Sequence, residues 1–189
     1  MNVYDFDKTI FYPDSTAVFY KYCLKHYFWK VLPSIPGMIW QALLMLLKID
    51  SIKHFKEKMF AFLKNIDDID DVCNKFWDEN WDRILPWYYK NKKPDDIIIS
   101  ASPEFNVKVA AERLGVRIIG TPMDKKTGKI HGENNNSKQK VVRFNQEFPG
   151  AKIDNFYSDS LIDTPLAKLA DNAFMLDKGN ISPWPWDIS

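Results

Sequence analysis

Residues 1–9, MNVYDFDKT, open the chain with a short apolar run that leads directly into two carboxylates. Met1 to Tyr4 is typical of a buried strand, and Asp5 and Asp7 follow where that strand ends. Because alternate side chains of an extended segment point the same way, both aspartates face one side of the strand end. This stretch predicts a first strand that places two acids at one edge of a sheet.

Two later apolar runs also end in polar side chains that can carry chemistry. The β-branched run 97–99 stops at Ser100, and the run 153–157 is followed by Asp159 and Asp163. Both runs are typical of buried strands in a parallel sheet. The sequence therefore predicts a hydroxyl and two further carboxylates near strand ends.

Helical segments separate these strands and indicate the fold class. Residues 104–114, 137–148 and 163–171 have helical patterns, and 173–176 is expected to form a last strand. Strands that alternate with helices build a parallel sheet covered by helices on both faces. Such sheets bind ligands at the carboxyl ends of their strands. We therefore expect an α/β fold in which the polar strand ends share one crevice.

A helical block interrupts this alternation directly after the first strand. Its apolar residues recur at helical spacing, and Asp14 or Ser15 is placed to cap its first helix. We expect two domains, a core formed by residues 1–12 and 87–189 and a helical cap formed by residues 13–86. An insertion at this point overhangs the crevice.

The composition limits the partners and the compartment. The chain has 189 residues and a formal net charge of +1, which gives no electrostatic footprint for a nucleic-acid partner. Cys23 and Cys73 lack metal-ligand spacing and are expected to be reduced, packed thiols. Asp5 and Asp7 interrupt any apolar leader at the start. We expect a cytoplasmic protein, and the sequence leaves its oligomeric state open.

Residues 27–49, YFWKVLPSIPGMIWQALLMLLKI, form the membrane candidate of the sequence. The uncharged run 37–47 is too short to cross roughly 30 Å of hydrocarbon. We expect this segment to pack within the cap, with a helix at a lipid interface as the alternative, which makes the protein peripheral to a membrane. Phe28, Trp29 and Trp40 are also candidates to line an apolar substrate entrance.

The strand-end residues together suit the transfer of a phosphoryl group. One carboxylate can attack phosphorus to form an aspartyl-phosphate, and a second can protonate the leaving oxygen and later activate water. Asp5 and Asp7 can divide these roles between them. Mg²⁺ offsets the repulsion of two adjacent carboxylates and can use Asp159 as a distant ligand. The Ser100 hydroxyl can hold a phosphate oxygen, and Lys140 can neutralise charge.

At these residues the chain resembles the haloacid dehalogenase superfamily of phosphohydrolases. The pattern DxDxT appears as DFDKT at residues 5–9, and the strand-then-serine motif appears as IIIS at 97–100. The lysine motif lies in GENNNSKQKVVRF and the acidic motif in FYSDSLIDTPL. The helical insertion is similar to the small C1-type cap of the phosphoserine-phosphatase-like subgroup, subfamily IB. The resemblance implies a Rossmann-like three-layer core with a parallel sheet and an Mg²⁺-dependent phosphatase.

The resemblance also implies a role for each matching catalytic residue. Asp5 is the implied nucleophile, and Asp7 is the implied general acid and base. Ser100 is expected to bind the phosphoryl group. Lys140 aligns best with the family lysine because it directly precedes the run that opens a helix, and Lys138 is the alternative.

Metal and substrate contacts follow from the same resemblance. Asp5, Asp159 and the backbone carbonyl of Asp7 are implied Mg²⁺ ligands, and Asp163 is implied to support the metal site from behind. The implied substrate contacts follow the serine motif and the start of the cap, and they are Asp14, Ser100, Ala101 and Ser102.

The substrate is open at this level. Phosphoserine phosphatases carry a glutamate early in the cap, whereas Asp14 stands in that region here, as in members that act on phosphatidylglycerophosphate. We expect a small or lipid-like phosphate monoester. A phosphotransferase with the same aspartyl-phosphate chemistry and a lipid phosphatase at the membrane surface are the alternatives. A binding module without activity is disfavoured because no motif residue is missing.

Overall fold

The structure is a computed structural model that describes residues 1–186. Six strands are present in this part of the chain, and they are β1 (Asn2–Tyr4), β2 (Ile97–Pro103), β3 (Arg117–Thr121), β4 (Ile153–Ser158), β5 (Ala170–Asp177) and β6 (Asn180–Pro183). The α-helices between them are α1 (Ser15–His26), α2 (Phe28–Val31), α3 (Ile35–Leu46), α4 (Ile52–Met59), α5 (Ile69–Asn80), α6 (Pro86–Asn91), α7 (Glu104–Leu114), α8 (Lys138–Glu147) and α9 (Thr164–Ala167).

The strands form one sheet in the order β3-β2-β1-β4-β5-β6. β1 pairs in parallel with both of its neighbours, with Val3 opposite Ile97 of β2 and Phe156 of β4. β3 and β5 extend the parallel sheet, whereas β6 is an antiparallel edge strand that the sequence analysis did not predict. The order reverses around β1, and such a switch point opens a crevice at the carboxyl ends of the strands. The acids after β1 lie at this crevice.

Two apolar layers cover the sheet, as alternate residues of β1 show. Val3 packs with Ile97, Ile99 and Phe144 of α8 on one face. Tyr4 belongs to a second cluster on the other face, which includes helices α1, α5 and α7. The predicted α/β fold with a three-layer, Rossmann-like core and a mostly parallel sheet is therefore confirmed.

Helices α1 to α6 lie between β1 and β2, where the sequence predicts the cap. The larger apolar cluster crosses the predicted boundary, because Trp77 of α5 packs edge-on against Phe6 and Phe11 with ring centroids 5.9 and 5.3 Å away. The Trp77 indole N–H also donates to the Asn106 carbonyl oxygen of α7 at 2.9 Å. The domain division at residues 13 and 86 stays a prediction.

Several predicted elements have different bounds in the structure. The helix expected over 163–171 is only the single turn α9, because the chain pairs with β4 from Ala170 onward and sheet hydrogen bonds replace helical ones. A turn at residues 127–128 places Gly128 at a φ of 74°, beside an antiparallel bridge between Met123 and Ile130.

The membrane candidate is only partly packed. Among residues 1–186, no helix combines the length and the apolar character that a bilayer crossing requires. Gln41 is the one fully buried residue of α3, so the expected packing of this segment inside the cap is wrong for most of its apolar side chains. The two cysteines are free and buried, as predicted.

Candidate active site

Asp5 stands at the centre of the crevice because it directly follows the central strand. Its backbone N–H donates to the Tyr157 carbonyl oxygen of β4 at 2.8 Å, and its side chain is nearly buried. The Lys140 Nζ lies 2.6 Å from Asp5 Oδ1 and 2.7 Å from Asp163 Oδ2. Lys140 is 2% exposed, whereas Lys138 is exposed on the other side of the α8 start. The structure thus places Lys140 in the site and leaves Lys138 outside it.

The buried charged groups of the site shift one another's pKa values. Burial raises the pKa of Asp5, and the nearby carboxylates of Asp163 and Asp7 act in the same direction, while Lys140 opposes them. Burial alone lowers the pKa of Lys140, but the attraction of Asp5 and Asp163 outweighs it and the net shift is upward. Lys140 is therefore a fixed ammonium that partly neutralises the site.

Asp163 holds this lysine in place. Its Oδ2 accepts hydrogen bonds from Lys140 and from the Ser158 hydroxyl, the latter at 2.8 Å. The carboxylate does not cap α9. Its position fits a residue that supports Lys140 and does not itself contact a substrate. Its predicted contribution to a metal site stays a prediction.

Asp7 is held by two donors from different parts of the chain. The Ser15 backbone N–H donates to its Oδ1 and the Ser102 hydroxyl donates to its Oδ2, both at 2.5 Å. The chain turns tightly behind it, since Lys8 has a φ of 58° and the Phe6 carbonyl oxygen accepts from downstream amides. Burial raises the pKa of Asp7, and Asp14 adds to this shift. Asp7 is thus fixed in orientation and shifted toward its protonated form.

The serine motif lies at a register irregularity between β2 and β3. The Ser100 hydroxyl is fully buried and accepts from the Ser102 backbone N–H at 3.0 Å, while Ala101 lines the crevice and Ser102 lines the apolar space beside it. The Asn135 side-chain amide ties this end of β2 to β3 through the carbonyl oxygens of Ser100 and Ile119. The predicted contact of Ser100 with a phosphoryl group stays a prediction.

Asp14 and Asp159 complete the acidic lining. Asp14 caps α1 by accepting from the Ala17 N–H at 2.8 Å, and it also lines the crevice. Burial raises the pKa of Asp159, with Lys8 opposing this shift. The structure therefore brings Asp159 into the same crevice as Asp5 and Asp7.

We call this crevice the acid cavity, a space of about 310 Å³. Five aspartates and three lysines line it, which leaves a formal charge of −2 if all are ionised (3 − 5 = −2). The lining charged residues are Asp5, Asp7, Asp14, Asp159, Asp163, Lys8, Lys56 and Lys140. Among residues 1–186, no three His, Cys, Asp or Glu side chains form a ready ligand cluster. The oxygen donors and the excess negative charge nevertheless fit a hard divalent cation.

A second space adjoins the acid cavity under the cap. This apolar cavity has a volume of about 500 Å³ and shares six residues with its neighbour, which are Asp7, Lys8, Asp14, Ile52, Lys56 and Ala101. Its further apolar lining comes from α1, α3 and α4, namely Ala17, Tyr20, Met38, Phe55 and Met59. Phe28, Trp29 and Trp40 do not line it, so their predicted role at a substrate entrance finds no support within the cavity walls.

Lys56 of α4 is a site residue that the sequence analysis missed. Its Nζ donates to the Ala101 carbonyl oxygen at 2.7 Å and to Asn134 Oδ1 at 2.8 Å, and it lines both cavities. Burial lowers its pKa to about 8, although Asp7 and Asp14 pull in the opposite direction. In the sequence, Lys56 lies between Lys53 and Lys58, a pattern that indicates a solvated helix face. No local sequence signal separates Lys56 from these two lysines.

Comparisons with known proteins agree with this geometry. Residues 3–168 match a family model described as haloacid dehalogenase-like hydrolase. A search of curated proteins gave no significant match. The family match confirms the resemblance that the motifs predict.

Solved structures share the fold at low sequence identity. A protein of unknown function from Bordetella pertussis Tohama I is 18% identical, with a TM-score of 0.74 and coverage of 92% of this chain and 87% of that one. A probable phosphoserine phosphatase from Vibrio cholerae is 12% identical, with a TM-score of 0.59 and coverage of 91% and 55%. A phosphoserine phosphatase in a phospho-aspartyl intermediate analogue form is 14% identical, with a TM-score of 0.52 and coverage of 90% and 83%. At these identities the likeness shows a shared fold.

Proposed function

This chain belongs to the haloacid dehalogenase-like hydrolases, and on that premise we propose that it hydrolyses phosphate monoesters through an aspartyl-phosphate on Asp5. The observation that carries the proposal is the buried ammonium of Lys140 between Asp5 and Asp163. It orients the nucleophile and offsets charge at the place where a phosphoryl group must approach.

The proposed reaction has two steps. Asp5 attacks phosphorus, the bond from phosphorus to the ester oxygen breaks, and Asp7 gives its proton to the leaving alcohol. Water then attacks the phosphorus of the aspartyl-phosphate, Asp7 takes the proton from that water, and inorganic phosphate leaves with Asp5 restored. The raised pKa of Asp7 supports its role as the acid of the first step. Ser100 and the Ala101 amide are the proposed contacts of the phosphoryl oxygens.

Mg²⁺ is the proposed cofactor of the acid cavity. Asp5, Asp159 and the backbone carbonyl of Asp7 would hold it, with Asp163 behind them. When bound, the ion supplies positive charge that offsets the carboxylates and the phosphoryl oxygens. The four lining carboxylates other than Asp7 outnumber the three lysines, which supports this proposal.

The apolar cavity favours a substrate with an apolar leaving group. A phosphoryl group beside Asp7 leaves the rest of the substrate next to Met38, Phe55 and Met59. A lipid-like phosphate monoester suits this lining better than a small amino-acid phosphate, and Asp14 at the junction of the two cavities is its proposed polar contact. A lipid phosphatase that works at a membrane surface is therefore the specific form of the hydrolase that we favour.

Hydrolysis of an aryl phosphate tests the proposal. Asp5→Asn removes the nucleophile at nearly constant shape, so we expect turnover to fall by at least about a thousandfold. Asp82→Asn, at an exposed aspartate after α5, is the matched control and is expected to leave turnover unchanged. Chelation with EDTA should abolish activity, and Mg²⁺ should restore it. Full turnover by the Asp5 variant would refute the assigned nucleophile.

A phosphotransferase would use the same first step and pass the phosphoryl group to an alcohol. Assays with and without glycerol as acceptor separate the two enzymes, because a hydrolase releases inorganic phosphate in the same yield in both. A yield that falls as phosphorylated glycerol accumulates would favour the transferase.

A further inference from the structure

Helix α3 has an inverted pattern of burial. Its sequence IPGMIWQALLML contains no charge, yet the one fully buried residue is the polar Gln41. The Gln41 side-chain amide donates to Asp50 Oδ2 at 2.6 Å, which ties the inner face of the helix to the next loop. Met38 points toward the apolar cavity, and the opposite face is left without cover.

The uncovered side chains fall within one stretch of the chain, residues 28–52. Trp29 is 80% exposed and Leu46 is 77% exposed, values unusual for such large apolar groups. We define the apolar cap face by ten exposed residues of this stretch, which are Phe28, Trp29, Leu32, Ile39, Trp40, Leu43, Leu46, Leu47, Ile49 and Ile52. A patch of this extent on a protein surface marks a binding surface.

The charged residues of this stretch are mainly lysines, and its acid Asp50 is bound to Gln41 and His54. Between Ser15 and Ile49 the chain contains no Asp or Glu, and its charged residues other than histidine are the four lysines Lys21, Lys25, Lys30 and Lys48. Lys48 is exposed within the face itself, and Lys58 of α4 lies beside Gly37 at its edge. Lys30 pairs with Asp67, so Lys48 and Lys58 supply the positive charge at this face. An apolar surface with a basic rim complements an anionic lipid surface.

The face reaches the candidate active site. Ile52 belongs to the face and also lines both the apolar cavity and the acid cavity. Ile162, which is exposed, lines the acid cavity too. A surface that covers the apolar cap face therefore lies against the route into the site.

We propose that the apolar cap face docks onto a bilayer containing anionic phospholipids, with α3 lying in the interface and the tryptophans and leucines of the face in the acyl boundary. Aromatic residues such as Trp29 and Trp40 favour this boundary. The helix is too short to span, and an interfacial position needs only one apolar face. Entry of a lipid substrate from the membrane through the apolar cavity rests on the proposed function, whereas docking itself does not.

A second copy of the chain is a poorer partner for this face. A two-fold contact would bring the lysine rim of one copy against the same rim of the other. It would also cover the entrance beside Ile52. An anionic lipid surface instead neutralises the rim.

Vesicle co-sedimentation tests the docking. The full chain is mixed with vesicles of phosphatidylcholine alone and with vesicles that also contain phosphatidylglycerol. We expect binding to the anionic vesicles, at least about tenfold weaker binding to the neutral ones, and partial weakening by salt. The double variant Trp29→Glu/Leu46→Glu should bind anionic vesicles at least about tenfold more weakly than the wild type.

A matched control separates the face from general effects of added charge. The double variant Leu169→Glu/Ile181→Glu replaces two exposed apolar residues outside the cap with glutamate. It should bind vesicles like the wild type. Aryl phosphate hydrolysis by both double variants reports on the fold and on the proposed function independently of lipid. Loss of vesicle binding with hydrolysis retained supports the docking.

Two results would overturn the docking. One is equal binding of anionic vesicles by the face variant and the wild type. The other is a wild type that does not bind vesicles and is dimeric by light scattering, together with a face variant that is monomeric. That result would assign the face to a second copy of the chain. Vesicle binding by a chain that hydrolyses no phosphate ester would contradict the proposed function alone.

Discussion

Lys140 and Lys56 show how burial changes what a lysine side chain can do. Both ammonium groups lie in the acid cavity, but Lys140 touches two carboxylates and Lys56 touches only neutral oxygens. The attraction of Asp5 and Asp163 raises the pKa of Lys140 against the effect of burial. Burial dominates at Lys56, whose pKa falls to about 8. Lys140 is thus a permanent charge, whereas Lys56 loses its proton just above neutral pH.

We predict that Lys56 makes substrate binding sensitive to pH. Its ammonium faces the place where the phosphate ester binds, so the KM of an aryl phosphate should rise as the pH passes about 8 and the charge is lost. Lys56→Gln should raise KM about tenfold at pH 7 and abolish this rise. Lys56→Arg, whose charge persists, should keep a low KM up to pH 9.

The neighbouring change Lys58→Gln on α4 is the control and should behave like the wild type in this assay. A KM that rises equally in the Lys56→Gln variant would assign the effect to another group. The effect on stability follows from the same pKa shift. The folded chain binds this proton more weakly than the unfolded chain, so the buried ammonium of Lys56 opposes folding below about pH 8, and this cost falls as the pH rises from about 8 toward the ordinary lysine pKa.

Helix α4 is the element that connects cap and core. Glu57 accepts from the Ile130 N–H at 3.0 Å, while Lys56 reaches the end of β2. Just after the helix, the backbone of Phe60 lies against Gly128 so closely that a Cβ at Gly128 would overlap its carbonyl group. The position of Lys56 therefore depends on a turn far away in sequence.

We predict that Gly128→Ala separates α4 from this turn. Gly128 has a φ of 74°, which an alanine adopts at a cost, and the added methyl overlaps Phe60. We expect a loss of about 2–3 kcal/mol in the free energy of unfolding and a raised KM, measured by urea titration and kinetics. Gly115→Ala is the control, because its φ is 70° but nothing lies within 4 Å of an added Cβ.

The Gly115→Ala control changes only backbone strain. Its free energy of unfolding should fall by only about 1 kcal/mol, and its KM should stay at the wild-type value. Equal losses in both variants, with KM unchanged in both, would show that the contact with Phe60 does not position α4.

At the scale of the whole molecule, cap and core share one apolar interior. The larger cluster contains Tyr4 and Ile98 of the sheet together with Phe19, Phe76 and Trp77 of the cap. Packing of this kind is dense and transmits strain between the elements that it joins. The cap is therefore coupled to the sheet through its α1 and α5 helices.

We predict that residues on both sides of the predicted domain boundary unfold together. Urea unfolding followed by tryptophan fluorescence, to which the cap contributes four of the seven tryptophans, should coincide with unfolding followed by far-ultraviolet circular dichroism. Phe76→Ala should shift both curves to lower urea by the same amount, because it removes about 3–5 kcal/mol of shared packing. Two separated transitions would show instead that the cap is an independent domain.

Local patterns predicted most of the architecture. The alternation of apolar strands with amphipathic helices indicates a parallel sheet, and the polar residues after 97–99 and 153–157 indicate its carboxyl edge. The pattern did not predict the antiparallel strand β6 or the early end of the helix at Ala167. Both depend on pairing with β5 or β4, and pairing between distant segments leaves no local signal.

By itself, the sequence determined the order of the strands along the chain and the four motifs that contain Asp5, Ser100, the candidate lysines Lys138 and Lys140, and Asp159, because residue type and periodicity act locally. Only the tertiary structure decided which lysine enters the acid cavity, that Lys56 joins it from the cap, and that α3 leaves its apolar face uncovered. Burial and charge pairing are properties of neighbours in space, so they are fixed only once the cap has folded against the sheet.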